Sequence, residues 1–314
     1  MRSTPRFSRR QFLGSSVTSG IAVAGLLARP LRAADAFHRV GSPRLLLSLA
    51  AYSFRDYFVD SSHRKEAQTD SGKRIDMVQF IDYCADQGCA GAEVTSYYFP
   101  KDLTEDYLLK LRRHAFLRGV ALSGTAVGNN FAQPKGAKRD AEIALVKKWV
   151  DYAAVMGAPH IRIFAGQAQG LTREEAVPLC VSAIEECADY AGRKGIFLGL
   201  ENHGGIVAEP EGLLAIIRAI NSPWVGINLD TGNFHTADPY ESIALCAPYA
   251  VNVQLKGEIK RRDRAQEPAD LERLAKILRE ANYQGYVALE YESAPDPWKA
   301  VPELLKQMKA AFAA

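Results

Sequence analysis

Residues 172–202 read TREEAVPLCVSAIEECADYAGRKGIFLGLEN, and this stretch decides the fold. Thr172 with Glu175 three residues on is the pairing that caps a helix start, apolar residues then recur at three and four, and Gly195 stops the pattern. A short apolar run from Ile196 to Asn202 follows at once, too short for a helix and bounded by a breaker. One helix is thus tied to one buried strand. The same alternation extends in both directions. Further strands are expected at Leu45–Ala51, Gly91–Tyr97, Val120–Val127, His160–Ala165, Val225–Asp230, Ala250–Lys256 and Tyr286–Tyr291. Helices are expected at 74–87, 104–118, 138–156, 209–219, 239–246, 268–281 and 297–312, with Gly88, Gly119 and Gly157 just past helix ends. Eight such units in roughly 270 residues suit one α/β (β/α)8 TIM barrel over residues 37–314. Neither G-x-G-x-x-G nor G-x-x-x-x-G-K-[ST] occurs, which removes the usual doubly wound nucleotide-binding classes.

Composition sets outer bounds. The 314 residues are 47% hydrophobic and 24% charged, so a packed core is available. The formal charge of +3 misleads: Arg2, Arg6, Arg9, Arg10, Arg29 and Arg32 precede residue 35 with no acid among them, leaving 33 basic against 36 acidic residues beyond. A slightly acidic body is a poor duplex-binding surface, and no nucleic-acid partner is expected. The first 36 residues pass from Ser8-Arg9-Arg10-Gln11-Phe12-Leu13 through a weakly apolar run, Val17–Ala28, to Ala33, Ala34 and Ala36. This order resembles a twin-arginine export signal, which implies the export machinery as a partner, a periplasmic or otherwise exported product, and no membrane span after cleavage. The five cysteines, Cys84, Cys89, Cys180, Cys187 and Cys246, are odd in number, form no C-x-x-C pair and read as buried helix residues.

In a barrel the reactive groups gather where strands end, because the loops there build the site. The last four strands end in Leu200-Glu201-Asn202-His203, Leu229-Asp230-Thr231-Gly232-Asn233, Gln254-Leu255-Lys256 and Leu289-Glu290-Tyr291-Glu292. Carboxylates converging at one mouth repel unless a cation neutralises them. On these four motifs, residues 45–312 resemble the xylose isomerase-like barrel superfamily and, within it, the sugar phosphate isomerase/epimerase group. The resemblance implies one divalent metal ion held by Glu201, Asp230, Gln254 and Glu290, with Glu201 and Glu290 as the catalytic acid and base on opposite sides of a sugar. The family most often has His-Leu-Lys-Asp at the seventh strand; here Gln254 and Gly257 replace the histidine and the aspartate. An all-oxygen shell favours Mn²⁺ or Mg²⁺, with Co²⁺ and Zn²⁺ still open.

Substrate contacts are expected from His203, two residues past Glu201, from His235 in the loop after the sixth strand, and from Lys256. Tyr52 and Phe54 read as walls of the sugar pocket; Glu93 is a further substrate-binding candidate and, like Arg162, an inward charge that must be paired or wet. The charge run from Glu258 to Arg262 reads as a solvated face, and Asp56–Gly72 as a lid or loop over the mouth. His160, at the far end of its strand, reads as structural; His63 and His114 have no assigned role.

The implied activity is metal-dependent isomerisation or epimerisation of a free or oxidised sugar through an enediolate. A keto-glycoside lyase or hydrolase using the same site is the alternative, and Gln254 keeps a non-catalytic sugar-binding barrel open. The related abasic-site endonucleases need a zinc cluster held by many histidines, and this chain has six in all. Pairing into a homodimer stays open.

Overall fold

The computed structural model describes residues 35–61 and 72–313. The expected leader, His63 and most of the expected lid lie outside the described residues. The barrel strands are β1 (Arg44–Ala50), β2 (Gly91–Thr95), β3 (Ala121–Ala126), β4 (His160–Ile163), β5 (Phe197–Glu201), β6 (Val225–Asp230), β7 (Ala250–Leu255) and β10 (Gln284–Leu289). They close as one parallel barrel in the order β1-β10-β7-β6-β5-β4-β3-β2. Among the described residues eight α-helices accompany them: α1 (Met77–Asp86), α2 (Glu105–Leu117), α3 (Ala137–Met156), α4 (Arg173–Gly192), α5 (Pro210–Ala219), α6 (Pro239–Cys246), α7 (Leu271–Glu280) and α8 (Pro297–Ala313).

The local signals act as the residue types require. Thr172 accepts a bond from the Glu175 amide while the Glu175 side chain returns to Thr172, closing a capping box at the start of α4. Gly119 and Gly157 take φ of 69° and 79° after α2 and α3, a conformation that would strain any side chain. All five cysteines are buried free thiols, although Cys89 sits in the turn after α1 rather than in a helix. No helix among the described residues is long and apolar enough to cross a membrane.

Two features differ from the sequence reading. The charge run after β7 forms a small antiparallel hairpin, β8 (Glu258–Lys260) with β9 (Gln266–Pro268). Its arginines face acids rather than water alone: Arg261 pairs with Glu267 at 2.9 Å and with Asp238 at 3.3 Å. The barrel interior is also strongly polar, where branched apolar layers are usual. Glu93 of β2 meets Asn252 and Gln254 of β7 across the barrel, and Ser48 of β1 bonds Ser123 of β3 at 2.8 Å.

Candidate active site

Parallel register sets three buried carboxylates at one end of the barrel. Glu201 ends β5, Asp230 ends β6 and Glu290 directly follows β10, with exposures of 3%, 0% and 5%. Two cations reach them, Arg162 from β4 and Lys256 from the end of β7. Arg162 Nε lies 2.9 Å from Glu201 Oε2. Lys256 Nζ lies 3.1 Å from Glu290 Oε2 and 3.4 Å from Asp230 Oδ2, and it also bonds Glu292 at the mouth.

Glu201 is clamped on both oxygens. Its Oε1 meets His203 Nδ1 at 2.8 Å, just past the end of β5, and accepts from Asn233 Nδ2 at 3.1 Å. Arg162 is itself fixed, donating to the Val127 carbonyl at 3.0 Å with its guanidinium 3.9 Å from the Phe164 ring centre. Burial works to raise the Glu201 carboxyl, but Arg162 and the hydrogen bond and charge of His203 outweigh it and hold it below the ordinary range. Glu290 is engaged through Oε2 by Lys256, and burial pushes its carboxyl up against the pull of that lysine. Lys256 stays charged: burial alone would lower it, and Asp230, Glu290 and Glu292 more than offset that.

Among the described residues no three His, Cys, Asp or Glu side chains converge closely enough to hold a metal ion as they stand, although the acids of the mouth outnumber its bases. Glu201, Asp230, Glu290 and Glu292 face two cations, Arg162 and Lys256, and burial pushes the Asp230 carboxyl up to about 8 against the pull of that lysine. Asp230 Oδ2 is fully buried and accepts no hydrogen bond. Gln254 is placed differently from the other three expected ligands. Its Oε1 accepts from Asn228 at 2.6 Å and its Nε2 donates to Glu93 at 2.6 Å. Asn252 Nδ2 closes the ring onto Asn228 Oδ1 at 2.8 Å and Glu93 Oε2 at 2.7 Å. The amide of Gln254 therefore belongs to a polar floor beneath the carboxylates.

His160 lies at the edge of that floor. Its Nδ1 faces the Ser123 carbonyl at 3.0 Å, its Nε2 is 3.9 Å from Glu93, and its ring fills the gap that Gly124 leaves, where a Cβ would come within 1.9 Å. Burial lowers its pKa to about 4. Above pH 6.5 the ring is neutral whether folded or unfolded; below it the unfolded chain takes up a proton that the folded one refuses, so stability falls until about pH 4. The non-titrating variant His160→Asn escapes this loss. Its stability deficit against wild type, measured by urea unfolding, is expected to shrink by about 3 kcal/mol between pH 7 and pH 4. A constant deficit would contradict the buried neutral ring.

Three cavities surround the cluster. One of about 530 Å³ lies beside Tyr52, Arg55 and Glu292; one of about 290 Å³ beside Lys256, Asn233 and Glu292; one of about 590 Å³ beside His203, Asn233 and Arg262. Each shares walls with the next. A larger cavity of about 750 Å³ lies beside Phe99 and Trp149; of the four carboxylates only Glu292 lines any of these cavities.

Residues 81–308 match the model of the xylose isomerase-like TIM barrel family. The chain belongs to that family. Among its relatives, 3-oxo-isoapionate decarboxylase of Pectobacterium atrosepticum is 27% identical over 186 residues, 58% of this chain and 61% of the decarboxylase, so the chain spans under two thirds of that protein. The family fold recurs in solved structures. D-psicose 3-epimerase with D-fructose superposes with a TM-score of 0.67 at 16% identity, covering 85% of this chain and 97% of the epimerase. 3-Keto-D-glucoside 4-epimerase of E. coli gives 0.64 at 13% identity, covering 85% and 100%. The IOLI protein with a bound zinc atom gives 0.64 at 18% identity, covering 85% and 96%.

Within this xylose isomerase-like barrel the remaining expected residues fall into two groups. Tyr52 lines the 530 Å³ cavity, and His235 lines both cavities that Asn233 joins. Phe54 and Glu93 do not reach the mouth. Residues Ala51–Phe54 turn into a 3-10 helix after β1, which buries Phe54 completely against the rings of Phe80, Tyr83 and Trp298. Glu93, fully buried, is part of the floor. Asn233 and Glu292 have site contacts that motif reading had left without a role; Asn233 stands five residues before Asp238, in the same loop as His235.

Proposed function

We propose that this barrel is a sugar isomerase or epimerase that moves a proton at the carbon beside a carbonyl, assisted by one divalent ion, Mn²⁺ or Mg²⁺. The observation that supports it most is the cluster itself: four carboxylates against two cations, with one carboxylate clamped and another held by a single lysine. Glu201, tied by Arg162, His203 and Asn233, stays ionised and orders the site. Glu290, with its basicity raised by burial, takes and returns the proton. His203 uses Nδ1 on Glu201, so Nε2 is the nitrogen that meets a substrate hydroxyl, and Asn233 stands beside it. When bound, a divalent ion on Asp230, Glu201 and Glu290 would supply Lewis-acid polarisation of the carbonyl.

The substrate is a free or oxidised sugar met outside the cytoplasm, the compartment that the leader resemblance suggests. One observation favours a second reading, a keto-glycoside lyase: three cavities sharing walls offer more room than one sugar ring needs. The names of relatives accord with either, since epimerisation, decarboxylation and elimination can all pass through a carbanion beside a carbonyl.

Incubation of the Mn²⁺-supplemented protein with keto-sugars and keto-disaccharides in deuterated water, followed by NMR and mass spectrometry, tests the proposal. Deuterium incorporation at carbon without cleavage is expected for the epimerase, and cleavage would shift the assignment to the lyase. Binding with neither outcome would leave a sugar-binding barrel.

A further inference from the structure

Lys256 sits among the carboxylates that the proposed divalent ion would need. Its Nζ lies 3.4 Å from the unbonded Oδ2 of Asp230 and 3.1 Å from Oε2 of Glu290, with a third carboxylate, Glu292, bonded to it from the mouth. These acids are not equivalent: Asp230 and Glu290 side chains are 0% and 7% exposed, whereas that of Glu292 is 41% exposed and lines two cavities. An ammonium and a divalent ion cannot share the inner pair of oxygens, because like charges at contact distance repel strongly in a buried site. Lys256 and Glu292 both line the cavity of about 290 Å³, so there is space beside the ammonium. Four side-chain bonds and wide rotamer freedom let Nζ withdraw from Asp230 and Glu290 while keeping Glu292.

We infer that Lys256 is a built-in cation that holds the inner carboxylates until a divalent ion displaces it, and that Glu292 is the carboxylate that receives the displaced ammonium. The inference rests on the proposed cation site, not on turnover of any sugar. The lysine keeps the acid cluster neutralised in the metal-free protein and sets the threshold at which metal enters. Its charge is unchanged in both positions; only its carboxylate partners change.

The test is binding of Mn²⁺ alone to the full chain, measured by calorimetry and by the EPR signal of free Mn²⁺, for wild type, Lys256→Met, Glu292→Gln and the double variant. Lys256→Met should bind Mn²⁺ at least tenfold more tightly than wild type, and should show the larger rise in Tm on adding Mn²⁺. Glu292→Gln should bind it at least threefold more weakly, because the lysine loses its outer partner. In the Lys256→Met background the Glu292→Gln effect should vanish. Lys256→Gln serves if the methionine variant does not fold. Three results would overturn the inference: no gain in affinity without the lysine, an undiminished Glu292→Gln loss in the double variant, or no Mn²⁺ binding by any of the four proteins. The last would remove the ion from the proposed function as well, while deuterium exchange with keto-sugars would still report on that function independently.

Discussion

Glu290→Gln should lower deuterium exchange at the substrate carbon by about 10³-fold, within the range that one positioned acid or base contributes. Glutamine keeps the shape and one oxygen for Lys256 but has no basicity. The lysine retains Asp230 and Glu292, so no cation is left unpaired and the fold should persist. Circular dichroism and a Tm within a few degrees of wild type would establish that the loss is chemical. Exchange within tenfold of wild type would transfer the proton-moving role elsewhere, with Glu201 the next carboxylate to test. The expectation is sharper for Glu290 than for Glu201, because the two environments push the carboxyls in opposite directions.

Arg162→Met should cost about 3–5 kcal/mol of stability, the usual consequence of stripping one partner from a buried ion pair. The arginine is 3% exposed, Glu201 is equally buried, and the remaining contacts from His203 and Asn233 fall on the other carboxylate oxygen. Methionine fills much of the same volume and can still pack against Phe164, so most of the loss is electrostatic. The Glu201→Gln, Arg162→Met double variant is therefore expected to recover part of it, which a cycle of urea denaturations would resolve. Arg162→Lys should not rescue fully, since a point charge cannot hold Glu201 and the Val127 carbonyl while lying flat over Phe164. If Arg162→Met unfolds at the wild-type urea midpoint, the pair has no structural weight.

Much of the fold is written in local signals. The cap at Thr172, the glycines after the helices and the short apolar runs are each set by a few neighbouring residues, and together they lead to the barrel. The carboxylates of the site were equally legible, because residues at the ends of parallel strands reach the same mouth. What escaped depends on distances across the barrel. Nothing near Gln254 in the chain reveals that its amide meets Glu93, 161 residues away. Phe54, expected as a wall of the sugar pocket, is buried instead, because a 3-10 turn follows β1 and carries it into the core. Lys256 was found but its company was not: the motif places it beside the site, and only the closed barrel brings Asp230, Glu290 and Glu292 around its ammonium.

The polar floor bears on how the cylinder finds its closure. Apolar contacts are non-directional, so hydrocarbon layers alone define strand height less sharply than hydrogen bonds do. The bonds joining Glu93, Gln254, Asn228 and Asn252 are directional and span β2, β6 and β7, so a shift of one residue would turn those side chains outward together. The floor thus acts as a combination lock on strand stagger, and it fixes the height at which every group of the mouth is presented.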